Sequence, residues 1–342
     1  MSDRPTIAVL IPSDIRVQVL TEATEARLAG LGHVVYPTDD TALAAELPRL
    51  VAGAAALLTG WKTPPLPDTL LAAHPETRLI AHTAGTIRKL VPQAAMARGV
   101  RVTHAAAMIA DAVAEWVIAQ TLTLLRDFPA MNTAMHASPL DVSAAAQWND
   151  LRERYPGRML GSLTVGVVGG GRVGRRVIAL LRAFGCAICV YDPLLSADDA
   201  ATLGVERAEL HAVIASADVL TLHVPVLPET EGMIGAAQLA LLRDGAVFLN
   251  AARSLVVDED ALLRELLTGR LSAALDVFAT EPLPLDDHYR DLPAVLLTPH
   301  AAGHTVDTHQ RQGAAMVEEI ARFLAGKPLR YEVTPTMLAT MA

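Results

Sequence analysis

The chain has 342 residues, too many for one compact core of ordinary size, so about two domains are expected. Hydrophobic residues make up 52% and charged residues 19%, which excludes a disordered protein. The net charge of -9 argues against a nucleic-acid-binding surface. The N-terminal apolar run is short and broken at Pro12, and no uninterrupted apolar stretch reaches the ~20 residues of a membrane span. We therefore expect a cytoplasmic protein without nucleic-acid or membrane partners.

The first hundred residues alternate short apolar runs with helical segments rich in alanine and leucine. This alternation predicts βαβ units around a parallel sheet with both faces covered. The strongest helix of the sequence follows, over residues 111–128, with Asp111 as its candidate N-cap. A less regular stretch then extends to about residue 161. The predicted strands are 6–11, 33–37, 54–60, 78–83 and 100–104.

A second series of strands and helices begins after this stretch and closes with a helix over 306–324. Two such series predict two doubly wound α/β domains. Cys186 and Cys189 form a C-x-x-C spacing, but residues three apart on a strand face opposite sides. We therefore interpret them as core residues and not as a redox or zinc pair. The strands of this series are 163–169, 187–192, 219–224, 246–252, 271–277 and 294–299.

A glycine-rich loop opens the second series, in VGVVGGGRVGRRV. Gly169, Gly171 and Gly174 fit G-x-G-x-x-G, and the motif stands between an apolar strand and an amphipathic helix, as a dinucleotide-binding loop requires. The three glycines permit the tight turn, the approach of a pyrophosphate and the close packing of helix on strand. Asp192 ends the next strand, where a carboxylate binds the ribose hydroxyls of NAD and repels the 2′-phosphate of NADP. The motif predicts NAD as the cofactor.

Three later stretches carry candidate catalytic residues: Arg253 in LNAARSLVVDEDAL, Glu281 in LDVFATEPLP and His300 in LTPHAAGHT. A histidine can take or return a hydroxyl proton at neutral pH while a hydride moves to or from nicotinamide. A carboxylate on its other ring nitrogen would hold the tautomer and stabilise the imidazolium. A guanidinium binds a substrate carboxylate in a fork and polarises a keto oxygen.

Each of these residues also has an ordinary interpretation. Arg253 could be a surface arginine, Glu281 a solvated carboxylate and His300 a core histidine. Their position within motifs of the family resemblance given below favours catalysis. His300 and His304 would share a face only in a continuous helix, which the intervening Gly303 disfavours, so no metal site is predicted and the role of His304 stays open.

Together with VGVVGGGRVG and LHVPVLPETEGMI, these stretches resemble the D-isomer-specific 2-hydroxyacid dehydrogenase family. The resemblance covers nearly all of 100–325 and extends more loosely into AGTIRKL and ARGVRVTHA. It implies a flavodoxin-like substrate domain from residues 1–105 and 304–342, a Rossmann NAD-binding domain from residues 106–303, and a cleft between the two. It also implies a homodimer formed through the nucleotide domain, with residues near 112–155 in the contact.

The resemblance assigns roles to individual residues. Arg253 matches the substrate-binding arginine, Glu281 the acid and His300 the general acid/base. Asp276 matches the residue that holds the nicotinamide carboxamide. The predicted cofactor-binding residues are Gly169, Gly171, Arg172, Val173, Gly174, Asp192, Pro225, Ala251, Asp276 and Gly303. The predicted substrate-binding residues are Trp61, Gly85, Arg88 and Arg253.

The N-terminal lobe departs from the family pattern. Arg88 and Lys89 stand shortly after Gly85, where many members carry an acidic residue, and Trp61 and Lys62 follow the third strand. Such a loop could accept a second anion or a bulkier group, or Arg88 and Lys89 could be a solvated helix start, so the identity of the acid stays open. The leading hypothesis is an NAD-dependent D-2-hydroxyacid dehydrogenase or 2-ketoacid reductase. The alternative is a non-catalytic NAD-sensing scaffold of the corepressor type.

Overall fold

A computed structural model describes residues 4–137 and 145–340. The chain divides into two compact units, the first formed by Met1–Ile109 with His304–Ala342 and the second by Ala110–Gly303. The chain leaves the first unit a few residues later than residue 105, because Met108 still packs against the core of that unit. Residues 138–144, part of the predicted dimer contact, lie outside the described residues.

The first unit is built on a five-stranded parallel sheet with the order β2-β1-β3-β4-β5. Ile7 and Val9 face one core cluster while Ala8 and Leu10 face another, so both faces of the sheet are buried, as the unbroken apolar runs predict. The strands are β1 (Thr6–Val9), β2 (His33–Val35), β3 (Ala54–Thr59), β4 (Leu79–His82) and β5 (Arg101–His104). The helices before the chain leaves this unit are α1 (Ser13–Val19), α2 (Glu22–Leu31), α3 (Leu43–Val51), α4 (Asp68–Ala73) and α5 (Gln93–Ala97).

The second unit is built on a seven-stranded parallel sheet with the order β12-β11-β10-β9-β6-β7-β8. The strands are β6 (Thr164–Val168), β7 (Ala187–Tyr191), β8 (Glu206–Arg207), β9 (Val219–Leu222), β10 (Val247–Asn250), β11 (Ser272–Leu275) and β12 (Val295–Leu297). The helices are α6 (Ala110–Leu125), α7 (Phe128–Ala137), α8 (Ala145–Arg154), α9 (Arg172–Leu181), α10 (Ala197–Leu203), α11 (Leu210–Ser216), α12 (Ala236–Leu239) and α13 (Glu259–Leu267). The strand order reverses between β6 and β9, and ligands of open α/β sheets bind at the carboxyl ends of strands beside such a reversal.

The chain then returns to the first unit with α14 (Val306–Leu324) and α15 (Pro335–Thr340). The bounds of α14 are those predicted, and the Thr305 hydroxyl caps the helix by accepting from the Thr308 N–H at 3.1 Å. A Cβ on Gly313 would lie 1.7 Å from the Val19 carbonyl oxygen. Only glycine therefore allows α14 to pack this closely on the end of α1.

The predicted helix over 111–128 differs from α6 at both ends. Asp111 is already inside the helix, where its carboxylate pairs with Arg176, so the prediction of an N-cap was wrong. The helix ends at Leu125, because Asp127 has a left-handed backbone with φ of 47°. The irregular stretch that follows in the sequence contains α7 and α8, which were not predicted.

One helix of the second unit is apolar over an unusual length. Ala106–Leu125 is long and apolar enough to span a membrane, with a mean hydropathy of 1.4 in its most apolar window. The core helix of a soluble protein passes the same test, and α6 packs on α9 and on strands β10 and β11. Asp111 and Glu115 interrupt the stretch, as the sequence predicts for apolar segments of this chain.

The two cysteines pack into different core clusters, as the strand geometry predicts. Cys189 is buried in the cluster that holds Leu220 and Phe248, whereas the half-buried Cys186 packs with Leu181 and Ile188. Burial raises the pKa of both thiols. They are therefore inert core residues and not a reactive pair.

Candidate active site

The glycine-rich loop follows β6 and needs glycine at its first and third positions. Gly169 has a φ of 104°, and a Cβ there would lie 2.6 Å from the His223 carbonyl oxygen. A Cβ on Gly174 would lie 1.9 Å from the Gly169 carbonyl oxygen, so helix and strand could not approach each other. Nothing lies within 4 Å of the position that a Cβ on Gly171 would take. The loop thus keeps space at the position where a pyrophosphate approaches the backbone.

The N-terminus of α9 provides donors for that pyrophosphate. Gly171 is the N-cap and offers no side chain to the first N–H groups of the helix. These N–H groups, among them those of Arg172 and Val173, have no partner inside the helix and lie at its positive end. An anion at this end would satisfy them. The residues present therefore fit a dinucleotide.

Asp192 follows β7 and is held beside the loop. Its Oδ2 accepts from the Gly170 N–H at 2.6 Å and its Oδ1 accepts from the Leu194 N–H at 2.7 Å. A carboxylate has about four acceptor positions, so two remain for ribose hydroxyls. Asp192 can therefore hold the loop through these backbone contacts and still bind the ribose of NAD, as the sequence predicts.

His300 and Glu281 form a pair at the carboxyl end of the same sheet. The His300 Nδ1 lies 2.8 Å from the Glu281 Oε2, and the Phe278 N–H donates to Glu281 Oε1 at 3.1 Å. Burial alone would raise the pKa of Glu281, but the hydrogen bonds from His300 and Phe278, together with the charges of His300 and Arg253, lower it below its ordinary value. Glu281 is therefore an anion at neutral pH and can stabilise an imidazolium at His300.

Arg253 follows β10 and is positioned by Asn250, the last residue of that strand. The Asn250 side chain accepts from the Ala252 N–H at 3.0 Å and donates to the Arg253 carbonyl oxygen at 3.0 Å. The guanidinium donates to the Ala252 carbonyl oxygen at 2.6 Å. Burial lowers the pKa of Arg253, against the opposing charge of Glu281. A guanidinium titrates so far above neutral pH that it remains charged.

The loop that carries His300 is held by Asp276, which follows β11. The His300 N–H donates to the Asp276 carbonyl oxygen at 2.8 Å, with the His300 backbone in the left-handed region at a φ of 52°. The buried Asp276 carboxylate accepts from the Ala301 and Ala302 N–H groups at 2.7 and 2.9 Å. The Thr298 hydroxyl also donates to this carboxylate. One acceptor position on Oδ2 remains, which is compatible with the predicted contact to a nicotinamide carboxamide.

Several residues of this site were not predicted from the sequence. The Trp116 indole N–H on α6 donates to Thr298 at 3.1 Å and so reaches the Asp276 network. His223, at the end of β9, donates its N–H to the Val168 carbonyl oxygen at 2.7 Å beside the glycine loop. Burial lowers the pKa of His223 to about 3, so its ring is neutral. The signal that could have identified His223 is its place directly after β9. Trp116 lies within α6 and has no such signal.

The remaining predicted cofactor residues follow strands of the second unit. Pro225 is exposed just after β9, Ala251 is half-buried directly after β10, and Gly303 is the last residue of the unit. Within the described residues, no group of three or more His, Cys, Asp and Glu side chains could hold a metal ion. His300 pairs with Glu281, whereas the His304 ring contacts His309 in the first unit.

The predicted substrate residues of the first unit do not form one cluster. The Trp61 ring lies 4.9 Å from the His309 ring. Lys62 donates to Asp14 at 2.5 Å, so its charge is already paired. The Gly85 carbonyl oxygen lies 2.5 Å from His104 Nδ1. The side chains of Arg88 and its neighbour Lys89 are exposed, as expected for the alternative of a solvated segment.

A glycine loop at a sheet reversal, with an acidic residue after the next strand, defines a dinucleotide-binding α/β protein. The family profile described as D-isomer specific 2-hydroxyacid dehydrogenase, NAD binding domain, matches residues 118–302. The chain therefore belongs to the D-isomer-specific 2-hydroxyacid dehydrogenase family, and its cofactor is NAD. The predictions of the family, of two parallel-sheet α/β domains and of the cofactor are confirmed.

Curated relatives and a solved structure agree with this assignment. The chain is 36% identical over 259 residues to D-3-phosphoglycerate dehydrogenase of Mycobacterium bovis, covering 75% of this chain and 47% of that protein. The same enzyme of Mycobacterium leprae is 33% identical over 320 residues, which cover 93% of this chain and 58% of that protein. A 2-hydroxyacid dehydrogenase structure from Ketogulonicigenium vulgare Y25 has a TM-score of 0.77 at 26% identity. The match covers 97% of this chain and 99% of that one. The chain spans about half the length of the curated relatives it matches.

NADH is expected to support turnover with a kcat/KM about 10²-fold above that of NADPH, because a 2′-phosphate would meet the Asp192 carboxylate. Asp192→Ser should narrow this ratio by improving NADPH. It should also weaken NADH, since the Gly170 N–H loses its acceptor. Steady-state kinetics with both cofactors measure the ratio, and equal kcat/KM values for the wild type would contradict the prediction. Asp198→Ser, an acidic residue in the first turn of α10, is the matched control.

Proposed function

We propose that this protein is an NAD-dependent D-2-hydroxyacid dehydrogenase, or a 2-ketoacid reductase in the reverse direction, with His300 as the general acid/base. The observation that carries the proposal is the 2.8 Å contact between His300 Nδ1 and Glu281 Oε2, within the electrostatic influence of Arg253. An imidazole, a carboxylate and a guanidinium are the three groups that this reaction needs.

The pairing of His300 with Glu281 determines which ring nitrogen handles the substrate proton. An N–H at Nδ1 donates to the Glu281 carboxylate, which leaves Nε2 as the acceptor in the neutral ring. Nε2 can then take the proton from a C2 hydroxyl during oxidation and return it to the oxygen during reduction. The imidazolium that forms in oxidation is stabilised by the Glu281 carboxylate, whose lowered pKa keeps it charged.

Arg253 would bind the carboxylate that all 2-hydroxy acids share. Its guanidinium lies on the loop after β10, where the Asn250 side chain holds the backbone. A half-buried guanidinium binds a carboxylate in a fixed orientation, because the two N–H groups of its fork meet both oxygens. When bound, NAD supplies the acceptor for the hydride from C2, and NADH supplies the donor. The protein residues orient the acid and move its proton.

The test is a screen of glyoxylate, pyruvate, hydroxypyruvate and bulkier 2-keto acids with NADH. Oxidation of NADH by at least one of these acids, at a kcat within the usual enzymatic range of about 1–10³ s⁻¹, is expected. The alternative function is a non-catalytic scaffold that senses NAD. Tight NADH binding without turnover of any 2-keto acid would contradict the enzyme and favour the scaffold.

Glu281→Gln is expected to shift the pH dependence of turnover more than it lowers maximal turnover. The amide cannot stabilise the imidazolium at His300, so the protonated form that reduction needs exists only at lower pH. The pH at which reduction declines should therefore move down, while oxidation should persist to lower pH. Rate profiles in both directions measure the shift, with Glu229→Gln, an exposed residue of the second unit, as control. Unchanged profiles would contradict the assigned role.

We also propose a homodimer formed through the second unit. Phe128 and Met135 on α7 and Trp148 on α8 are 46%, 41% and 41% exposed, which is typical of apolar side chains at an interface. Phe128→Glu combined with Trp148→Glu is expected to halve the mass measured by light scattering. Leu285→Glu, at a residue that is 91% exposed elsewhere in the unit, should leave the mass unchanged. A monomeric wild type would contradict the proposal.

Two further parts of the proposal concern partners and location. The binding partner besides NAD is a small 2-hydroxy or 2-keto acid, and neither nucleic acid nor membrane is part of the function. The proposed location is the cytoplasm. Fractionation of cells that express the tagged protein tests the location.

A further inference from the structure

Two buried side chains on one face of α14 carry polar atoms that have no hydrogen-bond partner among the described residues. His309 is 4% exposed and Gln312 is fully buried, and their spacing of three residues puts them on the same face of the helix. Within the part of the chain that the structure describes, His309 Nε2 and both polar atoms of the Gln312 amide have no hydrogen-bond partner. Buried polar groups in native proteins almost always have partners, because an unpaired one destabilises the fold. These atoms therefore indicate a polar group that the protein binds.

Aromatic contacts connect this pair to a residue already proposed to bind substrate. The Trp61 ring lies 4.9 Å from the His309 ring, and the His304 ring meets the same histidine edge-on at 4.3 Å. Trp61 lies on the loop after β3 and is 36% exposed. The prediction that Trp61 binds substrate was made from the sequence and does not depend on His309 or Gln312. The unpaired polar atoms thus adjoin the part of the first unit where the variable group of a substrate is expected.

The chemistry of the pair favours an uncharged hydroxyl as its ligand. Burial, and then the neighbouring His304, lower the pKa of His309, so its ring is neutral at physiological pH. A neutral imidazole nitrogen and an amide together offer both donors and an acceptor, which matches a hydroxyl that donates one hydrogen bond and accepts others. A phosphate or second carboxylate would require cations or several N–H donors. Lys62, the cation next to Trp61, is already paired with Asp14.

We propose that Trp61, His309 and Gln312 form a subsite for the substrate chain beyond C2, and that this chain carries an uncharged hydroxyl group. The inference rests on the proposed dehydrogenase function and narrows its substrate class to hydroxylated 2-keto acids without a phosphate. The mycobacterial relatives are named D-3-phosphoglycerate dehydrogenase, after a phosphorylated acid. The proposed substrate of this chain differs from that acid because it has no phosphate.

The first experiment compares kcat/KM for hydroxypyruvate, pyruvate and 3-phosphohydroxypyruvate with NADH. The wild type is expected to prefer hydroxypyruvate over pyruvate by about 10–100-fold, since pyruvate would leave buried polar groups of the subsite without hydrogen-bond partners. Hydroxypyruvate should also exceed its phosphorylated form. Gln312→Met and His309→Leu should each bring the preference over pyruvate close to one. Gln310→Met, an exposed glutamine on the same helix, is the matched control.

The outcomes separate the subsite from the proposed function. No turnover of these three acids, with turnover of another 2-keto acid from the screen, would overturn only this inference. No turnover of any 2-keto acid would remove the proposed function as well. Turnover with the same hydroxypyruvate preference in wild type and variants would overturn only the subsite. If the wild type uses 3-phosphohydroxypyruvate better than hydroxypyruvate, the proposal that the subsite binds an uncharged group is overturned.

The second experiment needs no activity, because it measures the thermal midpoint of the full chain without substrate. Gln312→Met, which keeps the volume, is expected to raise the midpoint by removing an unpaired buried amide. Thr77→Val is the control for a satisfied group, since the buried Thr77 hydroxyl donates to the Ala54 carbonyl oxygen at 2.8 Å. That control should lower the midpoint. If Gln312→Met lowers it as well, the amide stabilises the fold and the inference is overturned.

Discussion

His300→Gln is expected to lower kcat by about 10²–10⁴-fold, the usual contribution of a general acid/base. Glutamine removes the ring nitrogen that moves the substrate proton, and no other titratable group among the described residues contacts Glu281 at hydrogen-bond distance. NADH binding should persist, because the glycine loop and Asp192 make no contact with His300. The variant therefore separates chemistry from cofactor binding.

The measurement combines steady-state reduction of a 2-keto acid with NADH titration by fluorescence. His288→Gln serves as the control, because His288 is an exposed histidine of the same unit and lies outside the site. Near-normal kcat in His300→Gln would refute the assignment. Loss of NADH affinity in parallel with kcat would instead mean that the residue shapes the cofactor site.

Arg253→Lys is expected to lower kcat/KM by roughly 10²-fold, the loss of a charge-assisted pair of hydrogen bonds that an ammonium cannot make in a fork. The factor should be similar for every 2-keto acid, because the C1 carboxylate is common to all. The lysine variant keeps the positive charge, so a lower kcat/KM would be due to the loss of the forked hydrogen bonds and not to the loss of charge.

A panel of keto acids on Arg253→Lys, Trp61→Ala and Arg88→Ala tests this division of roles. Arg253→Lys should lower kcat/KM by a similar factor for every keto acid. Trp61→Ala and Arg88→Ala should instead change the order of preference among the acids. Arg264→Lys, at an exposed position of α13, is the control. If Arg253→Lys reorders the panel and the other two variants scale it uniformly, the roles have been exchanged.

The strands were predictable from the sequence because strands buried on both faces are unbroken apolar runs. The exception is β8, whose two residues, Glu206 and Arg207, are exposed and carry no apolar signal. Helix α14 was predictable because Gly303 and Thr305 mark its start and its apolar face repeats regularly. Helices α7 and α8 were not, because their apolar residues include exposed ones such as Phe128 and Trp148.

The site was predictable where one short motif contains the whole chemical requirement. The glycine loop is such a case, since a side chain at Gly169 or Gly174 would clash with nearby backbone, while Gly171 leaves space for a pyrophosphate. Thr298 and Trp116 were missed because their roles depend on partners far away in the sequence, which no local pattern encodes. Asn250 was missed although its partners are two and three residues away, because asparagine also occurs in ordinary turns. His309 and Gln312 were missed because a helical pattern cannot distinguish a buried polar residue with a partner from one without.

The left-handed backbone at His300 limits which residues the position accepts, apart from any chemistry. At a φ of 52°, glycine, asparagine, aspartate and histidine are tolerated best, and a β-branched residue would be strained. Random mutagenesis at this codon, scored for folding alone, should therefore recover asparagine and glycine far more often than valine or isoleucine. Divergent descendants that lose the reaction would be expected to carry asparagine there, with the loop around Asp276 intact.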